Sequence, residues 1–105
     1  MTNPAVPTAR IGRTSLLIPR IGLGTAPLAA GTAYKAGVPV GQERSSAVIH
    51  TALSQGMCWF DTAPYYGGGL SETYLGTALA QVPRSSYVLS TKVGRHLMAD
   101  GGDPL

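Results

Sequence analysis

Hydrophobic and polar positions in the first half of the chain follow a pattern typical of short strands and one helix. Apolar runs at residues 9–14 and 16–21 flank a turn-like stretch at 12–15, which predicts a small hairpin. The run 20–25 is apolar, ends in Gly and Thr, and predicts a strand that leads into a loop. Residues 43–56 place apolar side chains at helical spacing and end in glycine, which predicts a helix.

The second half of the chain repeats this order. The apolar run 57–61 predicts a strand, and a helical segment with Ser71 as its N-cap follows. Pro83 closes that helix, and the run 87–92 predicts a further strand. This alternation of strands and helices implies parallel strands joined by crossover helices. Between the first strand and the first helix, residues 26–42 show neither period, which predicts a long loop.

Alternation within the last two strands predicts which side chains share a face. Trp59 and Asp61 point to one side of their strand, and Ser90 and Lys92 share one side of the next. Both faces of the strands are largely apolar, as expected where parallel strands are covered on both sides. Each of these strands ends with an ionisable residue, Asp61 in one and Lys92 in the other.

Composition excludes several classes of function. Hydrophobic residues make up 44% of the 105 positions and charged residues 12%, which excludes a disordered chain. The net charge of +3 comes from eight basic residues that are spread along the chain, so no nucleic-acid partner is expected. The sequence shows neither a signal-peptide pattern nor an apolar stretch of about 18 residues, which predicts a soluble cytoplasmic protein without a membrane partner. The single Cys58 is predicted to be a buried, inert thiol.

The ends of the two later strands carry the candidate chemistry. Ligands of parallel α/β folds bind at the carboxyl ends of the strands. If the two strands are neighbours, about 4.8 Å apart, Asp61 and Lys92 can form an ion pair at this edge. A glycine-rich loop follows Asp61 and carries Tyr65 and Tyr66, either of which can turn back over the pair.

A carboxylate, an ammonium and a phenol together suit proton transfer. A phenol ordinarily ionises near pH 10, and a neighbouring ammonium lowers that pKa. Such a phenol can protonate a carbonyl oxygen while a nicotinamide supplies hydride. Spacing alone favours a structural interpretation instead, in which the aspartate caps a loop, the lysine is solvated and the tyrosine packs. No metal site is expected.

Two segments, FDTAPYYGGGLSETYLGTAL and LSTKVG, resemble the aldo-keto reductase family. The resemblance runs from about residue 10 to residue 95 and implies an α/β fold, the N-terminal portion of a (β/α)8 TIM barrel, with about three strands and two helices after a short hairpin. It implies an NAD(P)-dependent oxidoreductase. The family's tyrosine, five places after Asp61, falls on Tyr66 rather than Tyr65, and its lysine falls on Lys92.

The resemblance also implies a cofactor site and a class of substrate. Gly24 and Thr25 match positions on the nicotinamide side of the family's site, together with Asp61, and the implied cofactor is NADP or NAD. Within the family, the chain looks most like the aldose dehydrogenases that oxidise L-fucose, L-galactose or D-threo-aldoses to lactones, so a small carbonyl or sugar substrate is implied. Tyr34 and Lys35 are candidates for substrate contact, although a plain surface loop is the favoured interpretation there.

An alternative function stays open. Potassium-channel β subunits keep the same residues, so a nucleotide-sensing or partner-binding barrel is also compatible with the motif. The family's histidine follows a fourth strand, which the chain does not reach, and His96 is not assigned to that role. Because a whole barrel takes roughly 250 residues, residues 1–105 are expected to form a partial domain, truncated before the fourth strand, prone to aggregation and inactive alone.

Overall fold

The chain opens with an antiparallel hairpin. The computed structural model describes residues 6–30 and 38–94. Strands β1 (Thr8–Arg10) and β2 (Leu17–Pro19) pair with Ala9 opposite Ile18. The predicted hairpin is confirmed, with shorter strands and a turn closed by the hydroxyl of Thr14, which donates to the Ile11 carbonyl at 2.6 Å.

A three-stranded parallel sheet forms the centre of the fold. Gly24 lies opposite Asp61 on one side, and Asp61 lies opposite Ser90 on the other. The middle strand is therefore the one that ends in the carboxylate, and the predicted parallel arrangement is confirmed. The strands follow the order β3 (Leu23–Gly24), β4 (Trp59–Asp61) and β5 (Val88–Ser90).

Three helices connect and cover these strands: α1 (Ala26–Ala30), α2 (Gln42–Ser54) and α3 (Leu70–Leu79). Two of them were predicted. The expectation of a continuous loop over 26–42 is wrong for its first five residues, because buried Ala26 and Ala29 fix a single helical turn by packing rather than by periodicity. No helix of the described residues is long and apolar enough to cross a membrane.

The start of α3 differs from the prediction. Ser71 does not cap this helix, because Gly69 occupies the N-cap with a φ of 105° and no side-chain cap is formed. A left-handed backbone of this kind favours glycine, and it lets the helix begin one residue before Ser71. Ser71 lies inside the first turn, where it is fully buried and its hydroxyl points towards the sheet.

The hydrophobic core lies between β4 and helices α2 and α3. Phe60 of β4 and Ile49 of α2 are fully buried, and Leu75 and Leu79 of α3 pack into the same cluster. Phe60 points to the helices, so its neighbours in the strand point to the opposite face of the sheet. Cys58, predicted to be buried, is only half-buried.

The outer face of the sheet is covered incompletely by the described residues. An apolar groove of about 460 Å³ runs between α3 and β5. Thr91 of this face donates to the carboxylate of Glu72 at 3.1 Å. The groove lies on the face opposite Asp61, and its apolar lining includes Leu75, Leu79, Val82, Tyr87 and Leu89.

Truncation of the central core residue tests this packing. We expect Phe60→Ala in the full-length protein to lower the free energy of unfolding by about 3–5 kcal/mol, because it removes a fully buried ring and leaves a cavity. Phe60→Leu, which keeps most of the volume, is the matched control and is expected to have a smaller effect. Urea denaturation followed by circular dichroism measures both; equal stability of Phe60→Ala and the wild type would contradict this description of the core.

Candidate active site

An ion pair joins the ends of β4 and β5. The Nζ of Lys92 lies 2.9 Å from Oδ2 of Asp61, and it also donates to the main-chain carbonyl of Thr62 at 2.9 Å. The parallel register is the cause, because Asp61 ends one strand opposite Ser90 and Lys92 lies two residues beyond Ser90 on the same face. The structure thus brings together the two ionisable strand-end residues that the sequence singled out.

Tyr66 lies above this pair. The Lys92 Nζ is 5.0 Å from the centroid of the Tyr66 ring. Tyr66 begins a 3-10 turn, Tyr66–Gly69, that directly precedes α3. Lys92 and the Tyr66 ring border a cavity of about 180 Å³ beyond the carboxyl ends of the strands, whose lining is Ala63, Pro64, Tyr65, Tyr66, Lys92 and Val93.

The electrostatics of the pair follow from its hydrogen bonds. Burial raises the pKa of Asp61, but hydrogen bonds from Lys92 and Ser90 and the Lys92 charge outweigh it, so the pKa lies below its ordinary value. The hydrogen bond to Asp61 raises the pKa of Lys92, burial opposes this, and Tyr66 adds to the rise. The side chains of Lys92 and Asp61 are 49% and 40% exposed, so the pair contributes at most about 1 kcal/mol to stability. Its main effect is on position.

Two further residues of the same face extend the pair. The Ser90 hydroxyl donates to Oδ1 of Asp61 at 2.7 Å, and the indole Nε1 of Trp59 donates to the Ser90 oxygen at 3.0 Å. The sequence analysis placed both residues on the faces of Asp61 and Lys92 without assigning them a role. The signal available in the sequence was their position two residues before each strand-end charge.

Three buried hydroxyls lie beneath the strand ends. Thr25 Oγ1 donates to the Asp61 carbonyl at 2.9 Å, and Ser71 Oγ lies 2.6 Å from it and 3.0 Å from Thr62 Oγ1. Ser71 Oγ also donates to the main-chain carbonyl of Thr25 at 3.2 Å, and in its contacts with the two threonine hydroxyls either oxygen can be the donor. This cluster ties together the ends of β3 and β4 and the first turn of α3.

The predicted cofactor residues differ in their burial. Gly24 is exposed, and a side chain built there would meet no atom within 4 Å. Thr25 is fully buried, with its hydroxyl held in the cluster below. Open space therefore lies beside Gly24 and Asp61, and the contact of Thr25 with a cofactor stays a prediction.

Three residues that the sequence singled out, Tyr34, Lys35 and His96, lie outside the described residues. Within 6–30 and 38–94, no group of three or more His, Cys, Asp or Glu side chains is close enough to hold a metal ion.

The glycine-rich loop that carries Tyr66 packs directly against α1. Gly67 has a φ of 63°, and a Cβ at this position would lie 2.5 Å from the Cβ of Ala29 and 3.2 Å from its carbonyl oxygen. The loop backbone therefore contacts the first helix directly, which only glycine permits. Gly68 has a similar φ of 66° but faces open space.

Comparisons with known proteins point to one family. Residues 20–104 match the profile of the Aldo/keto reductase family. L-galactose dehydrogenase of Arabidopsis thaliana is 42% identical over 88 residues, which are 82% of this chain and 26% of that protein. D-threo-aldose 1-dehydrogenase of a Pseudomonas species is 40% identical over 96 residues, 91% of this chain and 26% of that protein.

A solved structure has the same arrangement of elements. An aldo-keto reductase from Bacillus halodurans in its holo form superposes with a TM-score of 0.79 at 25% identity, over 95% of this chain and 30% of that one. The chain spans about a quarter of the length of the curated relatives above. Its fold is the N-terminal portion of a TIM barrel, as predicted.

The contact between the loop and α1 gives a matched pair of substitutions. We expect Gly67→Ala to lower the free energy of unfolding by about 1–3 kcal/mol in the full-length protein, because the new methyl overlaps Ala29 and displaces the loop that carries Tyr66. Gly68→Ala carries the same backbone strain without the overlap and is expected to lower the free energy of unfolding less. Urea denaturation of both variants measures the difference, and equal losses would contradict the role given to the Ala29 contact.

The pKa shifts define the pH range of the ion pair. Asp61 stabilises the fold above its unfolded-state pKa, near 3.9, and this contribution is lost as pH falls through its lower folded-state value. Lys92 contributes fully below about pH 10.4, and this is lost as pH rises through its raised value. We therefore expect Lys92→Met to raise the Asp61 pKa, and Thr91→Val, on the opposite face, to leave it unchanged. Carbon-13 NMR titration of the aspartate carboxyls measures both; an unchanged pKa in Lys92→Met would contradict the pairing.

Proposed function

Since the chain belongs to the aldo/keto reductase family, we propose that it carries three catalytic residues of an NAD(P)-dependent oxidoreductase. The reaction transfers hydride between a nicotinamide and an aldehyde, a ketone or an aldose. The observation that carries this proposal is the Asp61–Lys92 ion pair beneath the Tyr66 ring, with Lys92 and Tyr66 lining a cavity beyond the strand ends.

Each residue of the trio has one role in this reaction. Tyr66 is the general acid and base, because its phenol borders the cavity in which a carbonyl oxygen would lie. The Lys92 ammonium lies 5.0 Å from the centroid of that ring and places a positive charge beside the site of proton transfer. Asp61 holds the ammonium in place through a 2.9 Å hydrogen bond.

The proton and the hydride are both given to the substrate in reduction, and both are taken from it in oxidation. In reduction, hydride adds to the carbonyl carbon and Tyr66 gives its proton to the carbonyl oxygen. In oxidation of an aldose, Tyr66 takes the proton of the C1 hydroxyl while hydride leaves C1, which forms the C=O of a lactone. The hydride carrier is NADP or NAD, because no side chain can supply hydride.

The described residues fit such a cofactor. Gly24 leaves open space opposite Asp61, which suits a flat ring placed beside the strand ends. Gly24 and Asp61 would border that ring, and Thr25 lies one layer beneath. We propose an aldose as substrate, because the names of the relatives L-galactose dehydrogenase and D-threo-aldose 1-dehydrogenase describe such reactions.

Turnover is proposed to need the rest of a barrel. The described strands supply one part of the wall around the cavity, and a (β/α)8 barrel of roughly 250 residues closes only with all eight strands. The experiments that test this function therefore use the full-length protein.

Replacement of the general acid tests the proposal. We expect Tyr66→Phe to lower kcat by about 10²–10⁴-fold, since it removes the proton donor and keeps the ring. Tyr87→Phe, in the groove on the opposite face of the sheet, is the matched control and is expected to keep a kcat near that of the wild type. The assay follows NAD(P)H absorbance with L-galactose and with a small aldehyde. Wild-type turnover in Tyr66→Phe would exclude the assignment, whereas nucleotide binding without turnover in the wild type would favour a nucleotide-sensing barrel.

A further inference from the structure

The face of the sheet that carries the ion pair also carries a second set of hydrogen bonds. We propose that Trp59 and Ser90 form a positioning dyad for the catalytic carboxylate: Trp59 fixes the hydroxyl of Ser90, and Ser90 fixes Asp61. The effect of the dyad on turnover rests on the function proposed above. Its effect on Asp61 itself does not.

The direction of each hydrogen bond in the dyad is fixed by chemistry. An indole N–H can only donate, so the Ser90 oxygen accepts from Trp59 at 3.0 Å. Ser90 has one hydrogen left to donate, and the ionised carboxylate can only accept it, at 2.7 Å. The dyad therefore has a single order, from indole to hydroxyl to carboxylate, and the hydroxyl has no competing arrangement.

The two oxygens of Asp61 have different partners. Oδ1 accepts from Ser90, and Oδ2 accepts from Lys92 at 2.9 Å. With both oxygens held, rotation of the carboxylate about its Cβ–Cγ bond is restrained. Without Ser90 only the hydrogen bond from Lys92 restrains it, while the ammonium keeps the Thr62 carbonyl as a second acceptor. The position of the charge beneath Tyr66 thus depends on Ser90, which touches neither the tyrosine nor the lysine in these hydrogen bonds.

The strand register builds this arrangement. Ser90 lies directly opposite Asp61, and Trp59 lies opposite Val88, so the indole reaches diagonally to the hydroxyl on the same face. Residues i and i+2 of a strand share a face, which places Trp59 beside Asp61 and Ser90 beside Lys92.

The indole of Trp59 also packs against a glycine. A Cβ at Gly22 would lie 2.5 Å from Cε3 and 2.7 Å from Cδ2 of Trp59. The ring therefore packs closely against Gly22, the residue before β3, at a distance that any larger residue would prevent. This contact is independent of the hydrogen bonds, and it fixes the ring where its N–H reaches Ser90.

Titration of Asp61 in the full-length protein tests the dyad without reference to activity. We expect the Asp61 pKa, followed by carbon-13 NMR, to rise in Ser90→Ala and to rise less in Trp59→Phe, which keeps an aromatic ring and loses the five-membered part of the indole with its N–H. Ser90→Thr retains the hydroxyl and is expected to restore the wild-type value. In the Ser90→Ala background, Trp59→Phe should have no further effect, because Trp59 acts through Ser90. Titrations that superpose on the wild type, or effects of the two substitutions that simply add, would overturn the dyad.

Steady-state kinetics test the link to catalysis. Ser90→Ala is expected to lower kcat about tenfold and to leave KM nearly unchanged, because Ser90 orients Asp61 without binding substrate. Ser90→Thr should recover kcat. A raised Asp61 pKa with an unchanged kcat would overturn the positioning role. Tyr66→Phe is measured in the same series: if it retains wild-type kcat, the proposed function fails, while the titrations still decide whether the dyad holds the carboxylate.

Discussion

The register between two short parallel strands is the constraint on which the candidate site depends. It sets Asp61 opposite Ser90, and it brings Lys92, two residues further on, to within 2.9 Å of the carboxylate. A slip of one residue would turn Asp61 to the face occupied by Phe60 and would bury a charge among the core side chains. The same burial of Phe60 that stabilises the fold therefore also fixes the face on which the chemistry lies.

Packing beneath and beside the pair extends this constraint to the loops. The buried hydroxyls of Thr25, Thr62 and Ser71 join strand ends to α3 through bonds between residues up to 46 positions apart. Gly67 brings the loop that carries Tyr66 onto α1 by direct backbone contact. Each part of the trio is thus held by a different element, although the Asp61–Lys92 ion pair is itself partly exposed and weak.

The sequence was sufficient for the order of elements, for the faces of the strands and for the pairing of Asp61 with Lys92, because a period of two and a parallel topology determine all three. It was insufficient for α1, since five residues are too few to show a helical period. The N-cap assigned to Ser71 failed because a local pattern cannot show that a buried hydroxyl has partners in distant strands. For the same reason the sequence placed Trp59 and Ser90 on faces of their strands but did not reveal their hydrogen-bond partners. The catalytic and cofactor roles remain predictions.

The contact between Gly22 and Trp59 couples two positions that are 37 residues apart in the chain. A side chain at 22 conflicts with an indole at 59, and a small residue at 59 would leave space that a glycine at 22 cannot fill. Substitutions at these two positions should therefore show epistasis: each is harmful alone, and an exchange of bulk between them is tolerated better. Libraries that vary the two positions together would contain combinations of side chains that single-site mutagenesis does not sample.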